Sequence, residues 1–346
     1  MEKGKSSYFA DDKYRIVNEI ERRQWSDFVR HHPRGNIFQT PEMFDVFKAT
    51  KNNEPVLTAA VDDKGNRVVG VLISVIRKEY AGVAGSFTAR SITWGGPLVA
   101  DDKREILELL VEQYNKIIKR KVIYSQFRNL WDQENFIAAF KKKSYNYEEH
   151  LNIHVDLGKT EKELWKEVNS KRRNEIRRAK REGTTFKELT SKDEIDRAYR
   201  ILKEVYTRAK LPLLDKSLFN AALKILHPKG MIKFFGAVNQ NKIIGTIVVL
   251  CYKERLYNWY AGSLKKYYDK YPNDLLPWEV FLWGGKKGYE IFDFGGAGKP
   301  GKPYGVRDYK KQFGGELVNF GRYEKIHKPA FMKLGKFGLK LWQMVR

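Results

Sequence analysis

Cysteine is almost missing from this 346-residue chain. The one residue, Cys251, lies inside the apolar run 243–251, so no internal disulfide can form and the thiol reads as a small core group. Histidine is also scarce: six residues, scattered, with no cluster at ligand spacing, so no metal is expected. No stretch approaches the ~20 consecutive apolar residues of a membrane-spanning helix. The opening MEKGKSSYFADDKYR lacks the apolar core of a signal peptide. A cytoplasmic protein is therefore expected, with at most a peripheral contact at the inner membrane face. Acidic residues fall short of basic ones, 42 against 66, which leaves a formal net charge of +24. Long linkers and low-complexity segments are missing too.

Apolar residues make up 42% and charged residues 31%, the balance of a folded chain rather than a disordered one. At this length two domains of roughly 150–200 residues are expected, each large enough for its own core. The positive charge raises encounter rates with polyanions. Nucleic acid, nucleotide-linked substrates and an anionic membrane all qualify, and charge alone does not choose among them.

Local pattern predicts the elements. Residues 25–29 (WSDFV) start a helix, and Thr40-Pro41-Glu42 opens another with proline in its first turn. A β-hairpin is read over 56–61 and 68–76, with its turn at 62–66. Trp94-Gly95-Gly96-Pro97 breaks the chain before an amphipathic helix over 102–120, where Ile106, Leu109, Leu110, Ile117 and Ile118 keep helical spacing. A strand over 122–127 and a helix over 135–142 follow. The second half reads as helices over 161–168, 174–182, 193–208 and 216–226, strands over 232–238, 243–252 and 256–261, a helix over 274–287 and a strand over 289–294. In both halves, helices precede a hairpin, a helix and a strand. The repetition predicts two related α/β (α+β) domains, each a mixed sheet flanked by helices. Residues 1–156 and 157–325 would form them, with a basic amphipathic helix over 326–346 packing back on the first. A cleft is expected at their junction.

The most informative local run is FDFGGAG (292–298), followed by YGVRDYKKQFGGE (304–316). An apolar strand ends in a glycine cluster, Gly295 and Gly296 among them, where a backbone can approach a ligand closely. A short helix then sets Tyr309 beside Lys310 ahead of a second glycine turn, Gly314-Gly315. An aromatic and an ammonium framed by flexible turns suit a site for a polar acyl group. A strand, a loop and a buried glycine turn with no chemistry is the competing reading. Asp293, at the strand's end, either orients substrate or caps the glycine loop.

Six segments in order, KRRNEIRRAKREG (171–183), EVYTRAKLP (204–212), WYAGS (259–263), YPNDLLPWEV (271–280), FDFGG (292–296) and GVRDYKKQFGG (305–315), make the chain after residue 156 resemble the FemABX peptidyltransferases. Those enzymes add amino acids from aminoacyl-tRNA to the peptide of peptidoglycan precursors. The first half is similar only through WSDFV and NIFQTPEMF (36–44). The resemblance implies two tandem GNAT-like domains and an aminoacyl-tRNA donor. The acceptor it implies is a UDP- or lipid-linked muropeptide. Lys310 would be the donor to the tetrahedral oxyanion of acyl transfer, where the largest rate contribution usually arises. Tyr309 would flank the acceptor, Tyr304, Gly295 and Gly296 would line the substrate, and Arg208 would meet a diphosphate with its planar fork. Ordinary GNAT enzymes hold the pyrophosphate of acetyl-CoA on a Q/R-x-x-G-x-G/A loop at a helix start. The corresponding connection, AGSLKKYYDKYPND (261–274), lacks that loop, which disfavours acetyl-CoA; no other cofactor is implied.

The run KRRNEIRRAKRE (171–182) carries seven basic residues against two acidic. Read as a helix, it aligns Arg173, Arg177 and Lys180 outward while Ile176 and Ala179 face inward. That stripe would grip tRNA phosphates; a solvated face is the alternative. The first domain lacks the glycine–lysine constellation and is expected to be a degenerate scaffold, with WGGP and FQTP (38–41) rimming the acceptor. His31 and His32 read as surface residues. The tail AFMKLGKFGLKLWQMVR sets Phe331, Leu334, Leu341 and Trp342 against Lys333, Lys336 and Lys340. A monomer is expected. Two other functions stay open: an acyl-CoA N-acyltransferase acting on a sugar nucleotide, and a non-catalytic nucleic-acid-binding protein.

Overall fold

The computed structural model describes residues 13–62, 67–79, 85 and 88–332. The chain divides into two compact units, Met1–Glu149 with Phe320–Arg346, and His150–Asn319. Each is a mixed sheet flanked by helices, as the repeated pattern predicts.

In the first unit, β1 (Tyr14–Val17), β2 (Asn53–Asp62), β3 (Val68–Arg77), β4 (Arg90–Trp94), β5 (Leu98–Val99), β6 (Tyr124–Arg128) and β7 (Asn146–Glu148) share one sheet with a strand supplied later in the chain. β2 and β3 are the hairpin read from the sequence; most of its turn, 63–66, lies outside the described residues. The helix Arg104–Ile118 buries Ile106, Leu107, Leu110, Val111, Tyr114 and Ile118 against β2 and β3. Gly70 lets it close on the sheet: a Cβ there would meet Ile106 at 2.8 Å and Leu110 at 2.9 Å. Thr40 caps the helix Pro41–Lys48 by accepting from the Met43 amide, which frees proline to occupy the first turn.

In the second unit, β8 (Leu151–Asp156), β9 (Thr185–Glu188), β10 (Ile232–Asn239), β11 (Lys242–Tyr252), β12 (Arg255–Ser263), β13 (Ile291–Gly296) and β14 (Glu316–Asn319) run in the order β14-β8-β13-β12-β11-β10-β9. All neighbours are antiparallel except β12 and β13. The helix Pro272–Lys286 packs on β10, β11 and β12, and the helix Lys192–Arg208 also packs on β11 and β12. Cys251 sits in this core, and burial pushes its thiol up to about 12. β15 (Arg322–Ile326) then returns to the first sheet between β6 and β7. The residues after it stay with that unit: the His327 amide bonds Ile123 O at 2.8 Å and the His327 ring lies 2.9 Å from Ser125 Oγ.

Three expectations need correction. The division falls before β8, not after residue 156. LNIHVD alternates apolar and polar residues over only six positions, a short signal, yet Ile153 and Val155 are fully buried and the strand pairs with both β13 and β14. A second limit at 325 fails likewise, since β15 belongs to the first sheet. His32 is not a surface residue. It is buried, with Nε2 3.0 Å from Val99 O, while His31 remains exposed. The closing helix over 326–346 lies outside the described residues from 333 onward. Among the described residues no helix is long and apolar enough to cross a membrane.

Candidate active site

β12 and β13 run side by side only as far as Tyr257 and Asp293. Beyond that pair β12 bulges: Val249 is opposite Asn258 but Val248 is opposite Tyr260, which leaves Trp259 as the extra residue. β13 meanwhile breaks register with β8 between Asp293 and Gly296. Two central strands thus part in the middle of a sheet, where an extended group can lie against unpaired backbone. Asn258 Oδ1 is buried at this point with no protein partner.

Asp293, 2% exposed, lies midway along β13, where its pairing with β12 ends. Its Oδ1 accepts from the Gly295 amide at 2.7 Å and from Asn152 at 3.2 Å, while Oδ2 lies 3.4 Å from His154 Nε2. Burial pushes the carboxyl up, but His154, the Gly295 amide and Lys310 together hold it below the usual carboxylate range. Its oxygens serve the glycine loop, which is the capping role. Gly295 adopts φ +73°, a conformation that favours glycine. Gly315 is needed for space as well: a Cβ there would stand 2.5 Å from His154 O.

Lys310 comes to the same place from the helix Gly305–Lys311. Its ammonium donates to Phe294 O at 2.7 Å, Gly296 O at 2.9 Å and Gly295 O at 3.4 Å. Burial brings its pKa down to about 8, with Asp293 pulling the other way. A buried ammonium that titrates near neutrality can stabilise developing negative charge without being locked in a strong ion pair.

Tyr309 points elsewhere. Pro277 lies inside the helix Pro272–Lys286 and has no amide hydrogen, so Asn273 O lacks its helical donor. The Tyr309 hydroxyl supplies one at 2.6 Å. The ring lies under Arg172, whose Cζ is 5.4 Å from its centroid. Arg172 itself pairs with Asp274 and Glu175 and donates to Gln312 Oε1 at 2.8 Å. Burial raises Asp274 to about 6, against the pull of Arg172. Tyr309 therefore anchors the Lys310 helix to its neighbour.

The remaining expected residues are spread over the second unit. Tyr304 is exposed and packs over Gly298, whose Cβ position is 3.0 Å from its ring. It is also an electrostatic neighbour of Tyr206, which burial pushes up to about 12. Arg208, at the end of its helix, donates to Tyr268 Oη at 2.8 Å and lies 3.7 Å from exposed Glu204. Such an exposed pair is weak and leaves most of the fork available. The basic helix runs over Ser170–Arg181, longer than read from sequence, with Ile176 and Ala179 buried as expected. Arg177 lies over the Trp165 ring at 5.3 Å, and Lys180 bonds Glu279 at 2.7 Å. Arg173 reaches toward Trp165 O. Arg177, Lys180, Trp165 and Trp278 line a groove of about 520 Å³.

Residues 170–311, which span this site, match the model of the Acetyltransferase (GNAT) domain. Most of the second unit thus matches a GNAT domain. The whole chain is similar in structure to FemX, with a TM-score of 0.70 at 16% identity over 92% of this chain and 99% of that one. A C-terminal domain of a putative lysylphosphatidylglycerol synthetase from Agrobacterium fabrum aligns with a TM-score of 0.57 and 14% identity, over 92% and 95% of the two chains. A tandem GNAT protein from the clavulanic acid biosynthesis pathway gives 0.57 and 11%, over 91% and 99%. No curated protein sequence matches the chain. The chain thus shares its fold with these structures over both sheets, and the residues that match the GNAT model contain the strand fork, Asp293 and Lys310. Sequence reasoning missed Asn152, His154, Arg172 and Asp274. Alternation in NIHVD was the only available signal for the first two.

Proposed function

We propose that the chain transfers an aminoacyl group from aminoacyl-tRNA to an amine on a peptidoglycan peptide precursor, UDP- or lipid-linked. The observation that carries this reading is the Lys310 ammonium at the point where β12 and β13 part. The donor ester carbonyl would lie in that fork. The acceptor amine attacks it, a C–N bond forms, and the ester C–O bond breaks. The amine gives up a proton and the departing ribose oxygen of the tRNA takes one. Lys310 would turn the hydrogen of its longest loop contact, to Gly295 O, toward the oxyanion in between, while Asp293 and Asn152 hold the glycine loop that positions it.

Two features favour tRNA over acetyl-CoA as donor. The first turn of Pro272–Lys286, where a GNAT enzyme would place pyrophosphate, holds a carboxylate of its own in Asp274, already paired with Arg172. Nearby, Ser170–Arg181 presents Arg173 and Arg177 beside an indole-lined groove, a surface suited to phosphates and bases. Single-turnover transfer from charged tRNA to a UDP-linked muropeptide, read by the product's mass, tests the reading. Tight acetyl-CoA binding with no transfer from tRNA would overturn it in favour of an acyl-CoA N-acyltransferase.

Replacing Arg173, Arg177 and Lys180 together by Gln should weaken tRNA binding and flatten the slope of log affinity against log salt by about 2, near 0.7–0.9 for each phosphate no longer neutralised. The change stays below that of three phosphates because Lys180 is already paired with Glu279. An unaltered slope would make the stripe a solvated face.

A further inference from the structure

The strand fork carries a polar side chain that the transfer chemistry leaves unused. Asn258 stands opposite Val249, and directly opposed residues share a face of the sheet. Val249 is fully buried in the core that the helix Pro272–Lys286 covers, and so is Leu256, two residues before Asn258 on the same strand. An apolar side chain at 258 would continue that face. The chain places an amide there instead, with Oδ1 buried and, among the described residues, without a partner. A buried acceptor left unpaired costs stability. Native proteins relieve such a group with water or a ligand.

The position of this amide is fixed from both sides. The bulge beside it holds Trp259 and Tyr260, whose rings pack on Phe219 of the helix Lys216–Ile225 at centroid distances of 6.4 and 5.1 Å. Tyr260 also meets Tyr206 at 5.9 Å. Across the fork, Asn258 O lies 3.7 Å from the point where a Cβ on Gly295 would stand, so Asn258 borders the glycine loop directly. That loop turns Phe294 O, Gly295 O and Gly296 O toward the Lys310 ammonium. A group lying between the two strands meets Asn258 on one side and the loop held by Lys310 on the other.

We infer that Asn258 is a specificity-determining residue: its Oδ1 accepts from the α-amino group of the donor, so the site takes an aminoacyl ester in preference to a plain acyl ester. The inference rests on the reading of aminoacyl-tRNA as donor. With the ester carbonyl in the fork, the neighbouring carbon carries an amine in an aminoacyl group and only hydrogen in an acetyl group. The amine has N–H donors to give the oxygen, whether it is charged or neutral. A methyl group has none, and it would keep the oxygen both unpaired and out of water. A site built to bond a substrate N–H rejects the analogue that lacks it far more strongly than an apolar pocket separates two acyl groups.

Transfer by the full chain from glycyl-tRNA and from acetyl-tRNA, two esters of the same tRNA that differ only by the amine, tests it. Wild type should favour the glycyl donor by about tenfold or more in kcat/KM. Asn258→Leu should bring that preference within about threefold, through slower glycyl transfer. Asn258→Asp keeps an acceptor oxygen and should keep the preference. Damage to packing alone would slow both donors alike and leave their ratio unchanged. If circular dichroism shows Asn258→Leu unfolded, Asn258→Ala replaces it with the same expectation. Equal rates with the two donors in wild type, or an unchanged preference in the folded variant, overturns the role of Asn258 and leaves tRNA as the donor. Transfer of neither group overturns the donor reading, and this inference with it.

Discussion

Alanine in place of Lys310 is expected to lower single-turnover acyl transfer by about 10²–10³-fold, the loss that follows removal of one oxyanion donor. The fall should appear in the chemical step and leave tRNA affinity unchanged. The pH profile gives a sharper signature. Burial brings this lysine down to about 8, below the ~10.4 of an unfolded lysine. A rate that requires the charged form must therefore decline as pH rises through about 8. Stability runs the other way: the folded chain holds this proton less tightly than the unfolded one, so folding gains as pH climbs from about 8 toward ~10.4. Lys310→Arg keeps its charge throughout and should lose the alkaline decline. Transfer by Lys310→Ala within a few-fold of wild type would remove the residue from the mechanism.

Asp293→Asn should produce the largest loss of stability. The carboxylate accepts from Gly295 and Asn152 and lies 3.4 Å from the His154 ring, in a nearly closed environment. An amide group would turn its NH₂ toward at least one of those donors. A mismatch of that kind costs about 2–4 kcal/mol, or a drop of about 5–15 °C in Tm at this domain size. Asp293 is held below its ordinary value, so its contribution is present at neutral pH and is lost as pH falls below ~3.9 through the folded value. The variant also removes the charge that favours protonated Lys310, so the alkaline decline should move to lower pH. A melting temperature within 2 °C of wild type, roughly half a kcal/mol, would show that the loop does not depend on this carboxylate.

The elements legible in the sequence were those whose pattern is carried by apolar residues. The hairpin β2–β3, the strands β10 to β12 and the helices Arg104–Ile118 and Lys192–Arg208 all bury continuous or periodic apolar runs. β14 is four residues long and mostly exposed, and β15 is five residues long with one buried residue, so they carry no such period. β8 alternates cleanly but over only six residues, too short a run to mark the unit boundary, which was lost with it. The glycine loop and Lys310 were visible because glycine spacing is a local signal. Asn152 was not: its meaning depends on Asp293, 141 residues away, and a polar side chain in a strand reveals its role only through the partner across the sheet. Tyr309 was read beside Lys310 because they are adjacent in sequence, whereas adjacent helical residues point in different directions.

The bond between Tyr309 and Asn273 has an evolutionary consequence. It exists because proline at 277 leaves a helical carbonyl without a donor. Any residue with an amide hydrogen at 277 would restore the helix's own bond and release the phenol from that duty. Loss of the hydroxyl at 309 with Pro277 retained would instead strand a carbonyl and loosen the helix that carries Lys310. The two positions, 32 apart in number, are thus bound into one unit of descent: among homologues, proline at 277 and tyrosine at 309 should be kept or exchanged together.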